Sequence, residues 1–272
     1  MTFELHGVSV RHTVSTSGPA ALRDLTLSVA QGEQLALIGP SGAGKTTLLH
    51  TLACAHRPDD GRFSLFGTDP WTASDTRRQA LRSRLFLAPQ TPPLPPRQRV
   101  VTAVLAGRLP QWSLWQALAS LVKPADPEAA YMALARFNLQ DKLYARVDRL
   151  SGGERQRCSM ARLLVSHAEA FLVDEPLSAL DPALAIQTLA VLQEEAAARK
   201  ATLVCSLHQV DLARAQFPRI VGVRAGRIVF DAAREAVTDD MITALYQHVQ
   251  HAPAVDDTLD IPATTPLITR CF

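Results

Sequence analysis

The sequence predicts an α/β fold, on three observations. An apolar strand runs into a glycine-rich turn, a second apolar run ends in adjacent carboxylates, and a β-rich run follows further on, with helical periodicity between them. The first strand is Leu35–Ile38, and its turn reads Gly39-Pro40-Ser41-Gly42-Ala43-Gly44-Lys45-Thr46 before opening into Thr47 and two leucines. The carboxylate run is Ala170-Phe-Leu-Val-Asp174-Glu175-Pro176, and the β-rich run is Thr202-Leu-Val-Cys-Ser-Leu207.

Glycines allow successive backbone N–H groups to face phosphate oxygens, and the helix N-terminus behind them adds the positive end of its dipole. All fixed positions of the phosphate-cradling loop are present, after a strand and before a helix. The segment Gly39 to Thr47 is therefore expected to bind a nucleoside triphosphate. Lys45 should reach the β and γ phosphates, and Thr46 should place its hydroxyl on a magnesium ion bridging them.

Along the chain, residues 3 to about 88 read as short strands and turns around the phosphate-loop helix, with turns at Asp59-Asp60-Gly61 and Phe66-Gly67. Thr91-Pro-Pro-Leu-Pro-Pro96 is too proline-dense for a helix or a central strand and is expected to be extended, stiff and exposed. From about Val100 to Val165 the pattern is helical, as in Tyr131, Leu134 and Phe137. Within it, Trp112 and Trp115 precede a run of leucines, and core packing is the expectation for both, with a partner interface the alternative. Ile220 to Asp231 reads as a hairpin turning at Gly226, and His251 to Phe272, without periodicity, as a loose tail.

Taken alone, Leu150-Ser151-Gly152-Gly153-Glu154 would be a helix N-cap with a glutamate in the first turn. Here it lies between the phosphate loop and the Asp174-Glu175 pair, which is followed by Leu177-Ser178-Ala179-Leu180-Asp181 and, after the β-rich run, by His208. In that order these motifs resemble the ATP-binding domains of ABC transporters, over roughly residues 3 to 248.

The resemblance implies an ABC-type nucleotide-binding domain with a RecA-like core, an antiparallel β subdomain and an α-helical signature subdomain at about residues 90–165. The ATPase domain would span residues 1–250 and the tail 251–272. The expected cofactors are ATP and Mg2+. Glu175 is implied as the general base that orients the attacking water, Asp174 as a magnesium ligand with Thr46, and His208 as the switch histidine at the γ-phosphate. Gln90 is implied to touch metal and water, and Asp181 to stand at a subunit interface. Ser151, Gly152 and Gly153 of one copy would close over ATP held by a second copy. The family's adenine-stacking aromatic falls at His12, whose imidazole face is smaller and more polar than a phenol ring.

Within the family, Val104-Leu-Ala-Gly107-Arg108-Leu109 and Ser206-Leu-His208-Gln209-Val-Asp211 are most similar to the ATP-binding subunits of phosphonate importers. The implied partners are two transmembrane permease subunits, a periplasmic or extracellular solute-binding protein and a second copy of the chain, at the cytoplasmic face of the inner membrane. Related importers of phosphite, and ABC ATPases that act without a membrane partner, are the alternatives.

Composition is compatible with these expectations. At 272 residues and 47% hydrophobic the chain can bury a full α/β core, and a net charge of +2 gives no basic field of the kind that recruits nucleic acid. Cys54, Cys158, Cys205 and Cys271 form no CxxC pair. No apolar run approaches the roughly 20 residues needed to span a bilayer.

Overall fold

The computed structural model describes residues 1–11 and 20–247. In chain order the elements are β1 Phe3–Val10, β2 Leu22–Val29, β3 Gln34–Ile38, α1 Lys45–Leu52, β4 Asp60–Leu65, α2 Asp75–Arg82 and β5 Leu85–Ala88. They continue with α3 Val100–Leu105, α4 Leu114–Val122, α5 Pro127–Ala135, α6 Gly152–Leu164, β6 Ala170–Asp174 and α7 Pro182–Arg199. β7 Thr202–Ser206, α8 Val210–Gln216, β8 Arg219–Arg224, β9 Arg227–Ala233 and α9 Asp239–Tyr246 complete them.

Two sheets result. One is a three-stranded antiparallel sheet in the order β2-β1-β4, and the other a six-stranded sheet in the order β5-β6-β7-β3-β8-β9, parallel except for β9. β6 and β7 are buried at every position, as strands covered on both faces must be, so their sequences are apolar runs rather than alternations. Alternate side chains of β6 enter different cores. Phe171 and Val173 pack with Val104, Leu134, Phe137, Leu163 and Leu189 beneath the helices, whereas Ala170 and Leu172 pack with Phe3, Leu27, Leu48 and Val204 under the antiparallel sheet. Each fully buried leucine or phenylalanine contributes about 1.5–3 kcal/mol relative to an exposed one.

Helix α6 is held at both ends. Ser151 and Glu154 form a capping box, with Ser151 N–H donating to Glu154 Oε2 at 2.7 Å and Glu154 N–H to Ser151 Oγ at 3.2 Å. The Ser151 backbone N–H is the main reason the Glu154 carboxyl is held below its ordinary value. At its C-terminus, Arg199 from the last turn of α7 donates to the carbonyls of Ser166, at 2.6 Å, and Leu164.

Three expectations need correction. The stretch up to residue 88 contains the helix α2, capped by Ser74, whose side chain accepts from Arg77 N–H at 3.3 Å. Only Leu81 of α2 is buried, so the helix shows no apolar stripe by which to find it. The proline segment is neither helix nor strand, as expected, yet it is not uniformly extended. Leu94 N–H closes a tight turn on Pro92 O at 2.8 Å, and the Leu94 side chain leans on the helical core. Core packing fails for Trp115: Trp112 rests partly buried against that core, but Trp115 on α4 is 80% exposed beside exposed Leu114, Leu118, Leu121 and Val122. The hairpin at Gly226 stands, as β8 and β9. His12 and the tail 251–272 lie outside the described residues.

Candidate nucleotide site

The central strands of the large sheet deliver the site along one edge. β3 runs into the phosphate loop, its neighbour β7 ends at Ser206 two residues before His208, and the next strand β6 ends in Asp174. The carboxyl ends of parallel strands form the crevice where α/β sheets bind ligands. A cleft of 530 Å³ opens there, lined by Ser41 to Thr47, Gln90, Glu175 and His208, together with Ala20, Ala21, Arg23, Ala225 and Gly226.

The loop folds as a cradle because its glycines take backbone shapes closed to other residues, with Gly39 at φ 149°, Gly42 at 75° and Gly44 at 107°. At Gly39 an added Cβ would lie 2.0 Å from the Val223 carbonyl oxygen. Lys45 is almost wholly buried, and its ammonium donates to Gly39 O at 2.7 Å and Pro40 O at 3.2 Å. Burial pushes its pKa down, while the Glu175 and Asp174 carboxylates oppose that shift. The cation is thus held on the loop, facing the space a phosphate would fill.

Thr46 and Asp174 meet across the cleft floor, the Thr46 hydroxyl donating to Asp174 Oδ2 at 2.8 Å. A hydroxyl, a carboxylate and the nearby Gln90 amide are hard oxygen donors of the kind magnesium takes, so the side chains present fit that ion. Gln90 follows β5, and its Nε2 donates to Glu175 Oε2 at 2.6 Å. His208 Nε2 lies 2.5 Å from Glu175 Oε1. Glu175 is therefore gripped from both sides. Its backbone is left-handed at φ 48°, a shape that costs a non-glycine residue about 1–3 kcal/mol and is kept only where neighbours over-determine it.

Not every expected residue enters this cleft. Ser151 and Gly152 are exposed at the start of α6, Gly153 is half-buried beside Ala179, and Asp181 caps α7 by accepting Leu184 N–H at 3.0 Å. None of these residues lines the phosphate cleft of its own chain. Two residues that sequence reasoning assigned no role also serve the site. Buried Gln156 on α6 approaches the Glu175 carbonyl at 3.4 Å, and Ser206 hydrogen-bonds Asp174. The available signal for Ser206 was a hydroxyl closing a buried strand directly after the apolar Leu203, Val204 and Cys205. Elsewhere, Cys54, Cys158 and Cys205 are free and buried, and burial raises the thiols of Cys54 and Cys158 to about 12, which leaves them unreactive.

Comparison with known proteins agrees with this geometry. The family model described as ABC transporter matches residues 22–178. The phosphonates import ATP-binding protein PhnC of Polaromonas sp. is 53% identical, over 100% of both chains. PhnC 2 of Pseudomonas aeruginosa is 55% identical over 92% of each. Among solved structures, a dimeric bacterial ABC transporter cassette superposes with a TM-score of 0.72 at 22% identity, covering 85% of this chain and 98% of its own. The post-hydrolysis dimer of an ATP-binding cassette with ADP and Pi gives 0.71 at 21% identity, with the same coverage.

Proposed function

Because this chain belongs to the ABC transporter family, as the ATP-binding, ATP-hydrolysing subunit of an importer, we propose that it drives uptake of phosphonate or a related organophosphorus anion. The observation that carries the solute assignment is 53% identity to a phosphonates import ATP-binding protein over the full length of both chains.

In the proposed cycle the loop amides and Lys45 bind the triphosphate, and Lys45 exchanges the Gly39 and Pro40 carbonyls for phosphate oxygens. Glu175 orients the attacking water and takes its proton, while His208 and Gln90 hold that carboxylate in place. Mg2+, held by Thr46, Asp174 and Gln90, would neutralise charge on the phosphates. The exposed Ser151, Gly152 and Asp181 support completion of the site by a second copy, bound head to tail. Residues 1–250 are read as one ATPase domain, with a helical subdomain at about 90–165 that the run α3 to α6 supports.

Among the described residues no helix is long and apolar enough to cross a membrane. The transport path then belongs to two permease subunits, with a periplasmic or extracellular binding protein delivering the solute and this chain at the cytoplasmic face of the inner membrane. The apolar face of α4 supports a protein partner there, since it carries no charge with which to seek an anionic lipid surface.

Growth of a deletion strain on phosphate, phosphite and several phosphonates as sole phosphorus source tests the proposal. Loss on phosphonates alone, restored by the wild type and not by Glu175→Gln, is the expected result. Unimpaired growth on every phosphonate would overturn the solute assignment.

A further inference from the structure

Ser206 stands at the end of β7, fully buried, in register with Asp174 on β6 and with Leu37 at the foot of the phosphate loop. Its hydroxyl makes two bonds of opposite sense. It donates to Asp174 Oδ1 at 2.5 Å and accepts the backbone N–H of Glu175 at 2.9 Å. The remaining carboxylate oxygen of Asp174 takes the Thr46 hydroxyl. Asp174 is thus fixed from both sides, and the residue that fixes one side also holds the N–H of Glu175, whose left-handed backbone needs external support.

We propose that Ser206 is a positioning residue for hydrolysis, setting the carboxylate expected at the metal and the carboxylate expected at the water as one rigid unit. The proposal rests on the ATPase reading above and is independent of which solute is carried. A hydroxyl fits because a single oxygen must be donor and acceptor at once. An aliphatic residue would leave the Glu175 N–H without its partner and Asp174 held by Thr46 alone. A thiol is a weak donor and acceptor that serves neither bond well.

The test compares Ser206→Ala, Ser206→Cys and Ser206→Thr, with and without Glu175→Gln. Partners that orient metal-binding carboxylates alter metal affinity or turnover by about 10–100-fold when removed. Ser206→Ala is expected to lower kcat by about that factor while the KM for ATP stays within about threefold, and Ser206→Thr to recover most of the rate. A readout that does not need turnover is Mn2+ affinity for the ATP complex in the Glu175→Gln background, followed by electron paramagnetic resonance. It is expected to weaken about tenfold in Ser206→Ala. If the alanine variant does not fold, Ser206→Cys, which keeps the size of the side chain, decides by the same readouts. Wild-type kcat and Mn2+ affinity in Ser206→Ala or Ser206→Cys would overturn the proposal. Absence of ATP hydrolysis by the unmodified protein would instead overturn the reading on which it rests.

Discussion

His208 Nε2 stands 2.5 Å from Glu175 Oε1 while Gln90 Nε2 holds the other oxygen of the same carboxylate. The carboxylate proposed as the general base is therefore held in a fixed orientation. Glu175→Gln keeps the shape of that arrangement and removes the proton acceptor, so kcat is expected to fall by about 10²–10⁴-fold with ATP still bound. Size-exclusion chromatography with ATP should then show an arrested dimer. A normal hydrolysis rate would remove Glu175 from the role.

Lys45 is the buried cation of the loop and bonds two loop carbonyls. Lys45→Ala deletes charge-assisted bonds worth about 1.5–3 kcal/mol, which predicts ATP binding weaker by about 10–150-fold. Titration calorimetry measures this directly. Unchanged affinity would show that the cation does not touch the phosphates.

Alanine at Gly39 and at Gly42 should separate crowding from backbone shape. Both positions have positive φ, but a Cβ at Gly39 meets the Val223 carbonyl at 2.0 Å, whereas at Gly42 nothing lies within 4 Å. Gly42→Ala is expected to cost about 1–2 kcal/mol from the left-handed backbone alone, and Gly39→Ala clearly more. Thermal melts of the two variants give the comparison, and equal losses would contradict it.

The face of α4 offers a different kind of test. Trp115→Ala with Leu118→Ser changes exposed side chains, so stability should move by no more than about 0.5 kcal/mol. Co-purification of the permease from membranes is expected to fall at least tenfold. A partner retained at wild-type levels would free this face of that assignment.

The residues of the cleft were legible because their patterns are local: a phosphate loop, a strand ending in two carboxylates and a histidine after a strand are each contiguous in sequence. What escaped depends on neighbours brought together by the sheet. Ser206 acquires its role only when β6 and β7 lie side by side in register. Trp115 failed for a related reason: a tryptophan on an apolar helix looks interior whether that helix is covered by its own chain or by another. α2 escaped because its charged side chains carry no periodic apolar signal.

Acid stability should report the pair Arg84–Glu169, two parallel bonds of 2.7 Å linking the turn before β5 to the turn before β6. The Arg84 guanidinium holds the Glu169 carboxyl below its ordinary 4.5, with burial opposing. A depressed carboxylate stabilises the fold fully at neutral pH, and that contribution is lost as pH falls below about 4.5 toward its folded value. Both side chains are more than a third exposed, so the effect should be below about 1 kcal/mol. Glu169→Gln is expected to flatten this part of the pH–stability curve, and an unchanged curve would show that the pair adds nothing.

Arg199 ties the last turn of α7 to the carbonyls of Leu164, the last residue of α6, and of Ser166 just beyond it. The helix that begins at the signature serine and the helix that begins at Asp181 are consequently leashed at their far ends. Any swing of the first on engaging a partner's nucleotide must drag the second along or break charge-assisted bonds worth about 1.5–3 kcal/mol each. The two motifs proposed for the subunit interface would therefore arrive together, like the two prongs of a plug.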